Sequence, residues 1–391
     1  MRVLISGASL AGSTLAFWLA RHGIGVTVVE RAPALRMGGN GVDVRGQAVD
    51  VAERMGIMPA VQAAATDVQG VSFVDSAGVN RARIDMQSLA AATDSRDVEI
   101  MRGDLARILY DACEASTEYL FGDRIRSIEQ NPNSVTVEFE KSAPRSFDLV
   151  IGADGIHSAV RDLAFGRADS SVHYLGYYVA FANTNTSLGE DRWMSIYNEP
   201  GRMSGIYRSG NHSQAKSYFA FRAPKRLSYD RRSQREAGQL LTRGIAGMAG
   251  FSAELVRGAA ADPQLYVDEL SQVRLPSWSA GRVVLVGDAA YCASPVSGAG
   301  AMLALLGAFH LAGALSECEG DVARALAQYE AAMRPTVRSA QEGIFIGLLM
   351  PKSRLGISTR NAMVRLPLLR ALGGLNRRLQ PAAKPLPVYA S

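Results

Sequence analysis

The sequence has little of what covalent or metal cross-links need. Only three cysteines occur in 391 residues, Cys113, Cys292 and Cys318, with no CxxC pair and no cluster with histidine. An odd cysteine count without such spacing supports neither a disulfide framework nor a structural zinc site. We therefore expect no metal, and a reducing, cytoplasmic location.

Long apolar runs and hydrolase motifs are also missing. No uninterrupted apolar run reaches the roughly 20 residues that span a bilayer, so we expect no membrane span. Among the five histidines, no two are spaced as metal ligands. A GxSxG elbow followed by an ordered acid and histidine is absent, so serine hydrolysis has no support.

The composition is that of an ordinary folded chain. Hydrophobic residues make up 48% and charged residues 20%, which excludes disordered, collagen-like and coiled-coil chains. The length favours two or three domains. The last 41 residues hold eight basic and no acidic residues, so they carry +8, and the first 350 residues carry −3, which together give the net charge of +5. Leucines interleave with these charges, so we expect a helix packed on the body. An acidic surface or partner, or a disordered end, is the alternative, and we expect no nucleic acid as partner.

The first thirty residues have the pattern of a βαβ unit. Apolar stretches at 2–5 and 26–29 predict two strands, and the alanine-rich stretch between them predicts a helix. Gly7 permits a tight turn, the small Ser9 lets a pyrophosphate approach the backbone, and Gly12 lets helix and strand pack closely. These features predict a dinucleotide site, with a merely tight βαβ turn as the alternative.

Carboxylates follow three predicted strands. Glu30, followed by Arg31, ends the second strand, where an acid accepts the hydroxyls of an adenosine ribose. Asp154 follows the apolar run that begins at residue 149, and Asp288 follows the run that begins at residue 283. Ligands of open α/β sheets bind beyond the carboxyl ends of strands, so we expect these acids to meet in one crevice.

Three motifs in this order resemble those of a known family. The fingerprint at residues 7–12, the Asp154-Gly155 turn and the Gly-Asp...Pro...Gly-x-Gly segment at residues 287–300 are similar to those of FAD-dependent aromatic hydroxylases. These are group A flavoprotein monooxygenases of the p-hydroxybenzoate hydroxylase type. The segments 36–45 and 102–109 most resemble tetracycline-inactivating and related antibiotic-modifying monooxygenases.

The resemblance implies a cofactor, a reaction and a set of residues. It implies one noncovalent FAD, NADPH or NADH as cosubstrate, and O2. A flavin C4a-hydroperoxide would hydroxylate a small aromatic or polycyclic molecule that is phenolic, polyketide or tetracycline-like. The expected FAD contacts are Gly7, Ser9, Gly12, Glu30, Arg31, Asp43, Arg102, Asp154, Asp288, Pro295, Gly298, Gly300, Ala301 and Met302. Arg36 and Arg45 are candidates to meet NADPH, with solvated surface arginines as the alternative.

The sequence departs from many relatives at two places. Tyr291 stands where His often follows Gly-Asp-Ala-Ala, and Met302 stands where Asn often follows Gly-x-Gly-x. Neither is a base with a pKa near neutral pH, so we expect no side-chain base there. The backbone of Gly298, Gly300 and Ala301, at a helix start, is instead expected to stabilise negative charge on the flavin edge.

The middle of the chain has the pattern of an antiparallel sheet. Apolar and aromatic runs at 172–181, 193–197, 203–207 and 217–221 are separated by turn residues. Inward aromatic side chains of such a sheet can hold a planar ring, while packing of the sheet core is the alternative. The candidates for the substrate pocket are Phe181, Trp193, Tyr207 and Phe219.

These patterns predict an α/β protein with a Rossmann-like, GR2-type FAD-binding domain, an inserted antiparallel-sheet substrate domain and a C-terminal helical segment. The FAD-binding domain is expected at 1–75, 98–167 and 276–325, the substrate domain at 76–97 and 168–275, and the C-terminal helices at 326–391. Three other functions remain open: a flavin-dependent halogenase, whose W-x-W-x-I-P segment is absent, a flavin-dependent reductase or dehydrogenase, and a non-catalytic flavin- or ligand-binding protein.

Overall fold

The computed structural model describes residues 1–88, 95–166, 171–185, 187–318, 320–343, 346–366 and 385–389. In chain order, its strands β1 to β18 are Arg2–Ser6, Gly25–Glu30, Gly41–Val44, Gly70–Val74, Asn80–Asp85, Val98–Met101, Glu118–Phe121, Ile125–Gln130, Val135–Phe139, Arg145–Phe147, Leu149–Gly152, Val172–Thr184, Trp193–Glu199, Arg202–Tyr207, Ala215–Arg222, Tyr266–Val273, Ser279–Ala280 and Val283–Leu285. Helices α1 to α12 are Leu10–Arg21, Gln47–Arg54, Met58–Ala63, Arg102–Asp111, Ala159–Phe165, Gln234–Ile245, Ser252–Ala261, Asp288–Tyr291, Gly300–Glu317, Val322–Glu342, Ile346–Leu349 and Arg354–Arg365.

A six-stranded sheet in the order β17-β18-β11-β1-β2-β7 forms the first layer. All its pairs are parallel except β17 with β18. Strand β1 is buried from Val3 to Ile5 because helices cover the sheet, which explains its continuous apolar run. The predicted βαβ unit and the two later apolar strands are confirmed, and their carboxyl ends lie at one edge.

A seven-stranded sheet in the order β16-β12-β15-β14-β13-β4-β5 forms the second layer. The four predicted central strands are confirmed, and the pairs β12 with β15, β15 with β14 and β14 with β13 are antiparallel. Strand β4, Gly70–Val74, pairs in parallel with β13. The seven-stranded sheet therefore includes residues 70–74, which the sequence analysis had placed in the FAD-binding domain.

The two faces of the seven-stranded sheet are both apolar. One face, which we call the helix face, packs on α6 and α7 through residues such as Phe219 and Phe221. The opposite face, which we call the cleft face, carries Val179, Met203 and Ala220 and meets Val296 of the first layer. Smaller sheets, β10-β9-β8 and β3-β6, complete the described fold.

The C-terminal part adds helices to the body. Helix α9 is, within the described residues, long and apolar enough to cross a membrane, but 72% of it is buried inside the protein, as in a core helix. Helix α12 carries part of the basic tail and buries Arg360, whereas Leu355 is 77% exposed and does not pack as expected. Residues 367–384, with the remaining basic and leucine positions up to Lys384, lie outside the described residues.

Candidate active site

The turn at residues 7–12 has the geometry that its sequence predicts. Gly7 has a φ of +108°, and a Cβ there would lie 2.6 Å from the carbonyl oxygen of Ala153. A Cβ on Gly12 would lie 1.9 Å from the carbonyl oxygen of Gly7. Helix α1 then begins at Leu10 with no side-chain cap and no acid in its first turn. Its first N–H groups and partial positive charge are therefore available to an anion.

Arg102 brings a positive charge to this turn. Its Nη2 donates to Ser9 Oγ at 2.7 Å. The same guanidinium acts electrostatically on Asp288. Asp288 is exposed to solvent, yet many protein atoms lie around its carboxyl. This desolvation raises the pKa of Asp288, while Arg102 opposes the rise. The structure thus brings three expected cofactor contacts, from distant parts of the chain, to one place.

Glu30 closes the other side of the turn. Its Oε2 accepts from the backbone N–H of Ala8 at 3.0 Å, and its Oε1 accepts from Ala32 N–H at 2.9 Å. The carboxylate is half-buried at the end of β2, the position expected of a ribose ligand, with lone pairs left on both oxygens. Arg31 is exposed beside it.

Asp154 caps a helix. Its carboxylate accepts from Ser158 Oγ, from Ala159 N–H at 2.8 Å and from Val160 N–H at 3.1 Å. These bonds cap helix α5 and favour a structural role for the carboxylate, while its contact with FAD stays a prediction. Nearby, the buried Arg161 of α5 donates to the carbonyl oxygens of Ala289 at 3.0 Å and Ile156 at 2.7 Å, so it connects the Asp-Gly turn to the Gly-Asp segment. Sequence reasoning missed this arginine.

The segment 294–300 runs from a strained serine into helix α9. Ser294 has a φ of 92° and Gly298 a φ of +60°. Helix α9 starts at Gly300 without a side-chain cap or an acid in its first turn. Gly300 is exposed, its φ is not in the left-handed region, and nothing lies within 4 Å of where its Cβ would be. Neither backbone strain nor packing requires this glycine, so the open space beside it suits a ligand edge.

The other expected contacts of this segment point in different directions. Pro295 is exposed, Ala301 is buried, and Met302 is half-buried against the first-layer core. Tyr291 lies inside that core, where its ring is 4.6 Å from Trp278 and its hydroxyl accepts from Tyr329 at 3.1 Å. Tyr291 therefore stands away from the cleft.

Strand β3 joins the loop to the second layer. Burial raises the pKa of Asp43, while neighbouring Arg45 opposes the rise. Arg45 Nη2 donates to the carbonyl oxygen of Ser297 at 3.1 Å. Arg45, one of the two candidates for NADPH, therefore holds the cofactor loop against β3, and its contact with NADPH stays a prediction. Arg36 is exposed, and its contact with NADPH stays a prediction.

Strand register decides which aromatic residues face the cleft. Phe181 pairs with Tyr218, and the two rings are 5.1 Å apart on the cleft face. Tyr207 belongs to the same face, through its pairs with Lys216 and Met194.

Two substrate candidates require correction. Phe219 is fully buried on the helix face. Trp193 directly precedes the cleft-facing Met194 in β13, so its side chain points to the opposite face. The guanidinium of Arg83 lies 4.0 Å from the centre of its ring. Neither side chain faces the cleft, because neighbouring residues of a strand point to opposite faces.

Two side chains that the sequence analysis did not single out also belong to this site. Tyr266 is 49% exposed, and its ring stacks near Phe181 at 6.2 Å. Glu99 on β6 is the register partner of Asp43. Glu99 lies only three residues before the expected FAD contact Arg102. This closeness in the sequence could have marked it as a candidate site residue.

The arrangement fits a flavin dinucleotide. Helices α1 and α9, which both start without a side-chain cap, pack against each other, with Arg102 and Asp288 near the start of the first and open space at Gly300, the start of the second. The first suits a pyrophosphate and the second suits the electron-rich edge of the isoalloxazine ring. The described residues hold no cluster of metal-ligating side chains. These features define an FAD-dependent oxidoreductase.

The comparisons with known proteins agree. Residues 1–343 match the family described as FAD binding domain, and the chain belongs to that family. A flavin-dependent monooxygenase of Legionella longbeachae is 34% identical over 347 residues, covering 88% of each chain. An uncharacterised protein of Mycobacterium tuberculosis is 43% identical over 331 residues, covering 84% of this chain and 88% of that protein. With this membership, the chain is an FAD-dependent monooxygenase.

A solved structure shows the same fold over the whole chain. The crystal structure of tetracycline destructase Tet(51) is similar with a TM-score of 0.82 and 30% identity, covering 99% of both chains. The α/β fold with its FAD-binding layer, expected from the sequence, is therefore confirmed.

Proposed function

We propose that this protein uses NAD(P)H and O2 to hydroxylate an aromatic or polycyclic molecule of phenolic, polyketide or tetracycline-like type. The oxygen-transfer route and the substrate class expected from the sequence belong to this proposal. The similarity to a tetracycline destructase supports it, since that protein is named for a polycyclic substrate. The expected cytoplasmic location belongs to it as well.

The observation that carries the proposal is the packing of the cofactor loop on an aromatic sheet face. The cofactor edge and the substrate ring must lie close together for oxygen transfer, and Val296, in the loop that leads to the uncapped start of α9, packs on the same apolar cluster as Phe181 and Tyr218. When bound, FAD would supply the redox chemistry with NAD(P)H and O2. The protein binds, orients and excludes water.

Individual residues divide this work. Arg102 and the start of α1 would hold the pyrophosphate, Glu30 the adenosine ribose, and Asp288 a ribityl hydroxyl. The N–H groups at residues 298–301 would stabilise negative charge on the reduced ring. Phe181 and Tyr218 would cover the substrate ring and exclude water.

The test is NADPH oxidation by the FAD holoenzyme, with and without oxygen, over a panel of polycyclic phenols. The proposal predicts oxidation that requires O2, is stimulated by at least one phenol and yields a product heavier by one oxygen atom. Oxidation at full rate without oxygen would favour a reductase or dehydrogenase. Tight FAD binding with no NADPH oxidation would favour a non-catalytic flavin-binding protein.

A further inference from the structure

A line of polar groups connects the loop 294–300 to the cleft face of the seven-stranded sheet. Asp43 Oδ2 lies 3.4 Å from where a Cβ of Gly298 would be. Asp43 pairs in register with Glu99 across β3 and β6. A Cβ on Gly41 would lie 2.5 Å from Glu99 Oε1 and 3.4 Å from the hydroxyl of Tyr207, so the carboxyl and the phenol meet above this glycine.

We propose that Glu99 and Tyr207 form a subsite that binds a ring hydroxyl of the substrate, so that the acceptor is a phenol or an enol. The inference rests on the proposed function and narrows its substrate class. Glu99 is a positioning and specificity residue in this scheme: it fixes which edge of the ring is turned away from the flavin.

The hydrogen bonding of the subsite is incomplete. Thr66 Oγ1 donates to Glu99 Oε2 at 3.1 Å. The Tyr207 hydroxyl is buried close to Glu99, yet it is not aligned for a hydrogen bond with any described group. Buried hydroxyls in native proteins almost always have a partner. A substrate hydroxyl between Glu99 and Tyr207 would complete the hydrogen bonding of both side chains.

The charges around Glu99 give it a titration near neutral pH. Burial and the facing Asp43 raise its pKa to about 7, while the hydrogen bond from Thr66 opposes the rise. Tyr218 also faces it from the sheet, and Arg45, which directly follows β3, acts on Asp43. Glu99 is therefore a neutral acid below pH 7 and a carboxylate above it. The carboxylate accepts a charge-assisted hydrogen bond from a phenol or enol O–H, which is stronger than a neutral one.

The experiment measures binding of α-naphthol and of its methyl ether to the oxidised FAD holoenzyme by equilibrium dialysis. The pH is varied from about 5.5 to about 8.5, which covers both sides of a titration near neutral pH such as that of Glu99. We expect α-naphthol to bind about fivefold more tightly at the upper end, as a charge-assisted bond replaces a neutral one. The methyl ether, which has no proton to donate, should bind weakly and without pH dependence.

Two variants test the assignment to Glu99. In Glu99→Gln, which keeps the size and removes the charge, the pH dependence for α-naphthol should disappear. In Thr66→Val, the loss of the hydrogen bond that lowers the Glu99 pKa should move the midpoint to higher pH. Equal binding of naphthol and ether, or an unchanged pH profile in Glu99→Gln, would overturn the subsite. Loss of FAD from Glu99→Gln would also overturn it, by placing Glu99 on the cofactor.

A second measurement distinguishes failure of the subsite from failure of the proposed function. Oxygen-dependent NADPH oxidation without added phenol depends on the cofactor alone. If that reaction proceeds while the naphthol pattern fails, only the subsite is wrong. If NADPH is not oxidised at all, the monooxygenase proposal fails, and the binding profile still decides whether Glu99 and Tyr207 hold a hydroxyl.

Discussion

The two walls of the cleft present different chemistry. The first, which we call the cofactor wall, consists of the turn 7–12, the loop 294–300 and the starts of α1 and α9, and it presents mainly backbone N–H groups. The second, which we call the substrate wall, is the cleft face of the seven-stranded sheet and presents side chains, with Phe181, Tyr207 and Tyr218 among them.

This difference explains what each wall tolerates. Backbone recognition depends on a few glycines and on close approach, so single added atoms disturb it. Side-chain recognition depends on which residue points inward, so substitutions there change the ligand that fits and leave the sheet intact. The predictions below test that division.

The largest effect is expected for an aromatic residue that the sequence assigned to the wrong face. Phe219→Ala should lower the free energy of unfolding by about 3–5 kcal/mol, because a fully buried ring is lost from the helix face. FAD affinity per folded molecule should not change. Phe181→Ala is the matched variant: its half-buried ring should cost less stability and weaken substrate binding instead. Chemical denaturation and substrate titration measure the two effects. Equal stability losses with equal effects on substrate would remove the distinction between the two faces.

The next effect concerns the backbone of the cofactor wall. Gly7→Ala should destabilise the protein by about 2–3 kcal/mol, since it forces a left-handed backbone on alanine. Its Cβ would also meet the Ala153 carbonyl oxygen. The variant should release FAD. Gly23→Ala, at a φ of +70° with nothing within 4 Å, is the control and should lose less stability and retain FAD. Thermal melts and FAD fluorescence on release report both. Similar behaviour of the two variants would show that close approach at Gly7 is unimportant.

A smaller effect is expected from a single carboxylate. Asp288→Ala should weaken FAD binding by about ten- to a hundredfold, the loss of one charged hydrogen bond of roughly 1.5–3 kcal/mol. Burial raises the pKa of Asp288, so its ionised form costs folding free energy at neutral pH. The apoprotein of the variant should therefore be no less stable than wild type. FAD titration and apoprotein melts measure both.

Asp154→Ala is the counterpart of that variant. Its carboxylate caps helix α5, so its loss should lower the melting temperature of the apoprotein and leave the intrinsic FAD affinity of the folded protein nearly unchanged. The reverse pattern, with FAD affinity lost in Asp154→Ala and kept in Asp288→Ala, would exchange the roles assigned here.

The cofactor wall could be predicted from the sequence because its signals are local. The glycine spacing in residues 7–12 and the acids Glu30 and Asp288 mark turns and strand ends directly. Asp154 shows the limit of such signals. An aspartate after a strand and before a helix suits both a ligand contact and a helix cap, and only the observed hydrogen bonds distinguish the two.

The substrate wall could not be predicted residue by residue. Both faces of the seven-stranded sheet are buried, so apolar residues do not alternate with polar ones, and Phe181 and Phe219 have equivalent patterns in the sequence. Their direction follows from register. The neighbourhood of Asp43, Glu99 and Tyr207 likewise depends on pairing between strands that are far apart in the chain.

The cofactor wall is tested most directly at Gly300, by comparing Gly300→Val with Gly258→Val. Both glycines lie in helices, and nothing lies within 4 Å of where a Cβ of either would be. A difference between the two variants therefore reports on a bound ligand and not on packing. The measurement is hydrogen peroxide formed per NADPH oxidised, with FAD content and melting temperature determined alongside. We predict that Gly300→Val lowers FAD occupancy and raises the peroxide yield of the remaining holoenzyme, while Gly258→Val keeps both at wild-type values. Full FAD occupancy with a wild-type peroxide yield in Gly300→Val would contradict the placement of the flavin against this loop.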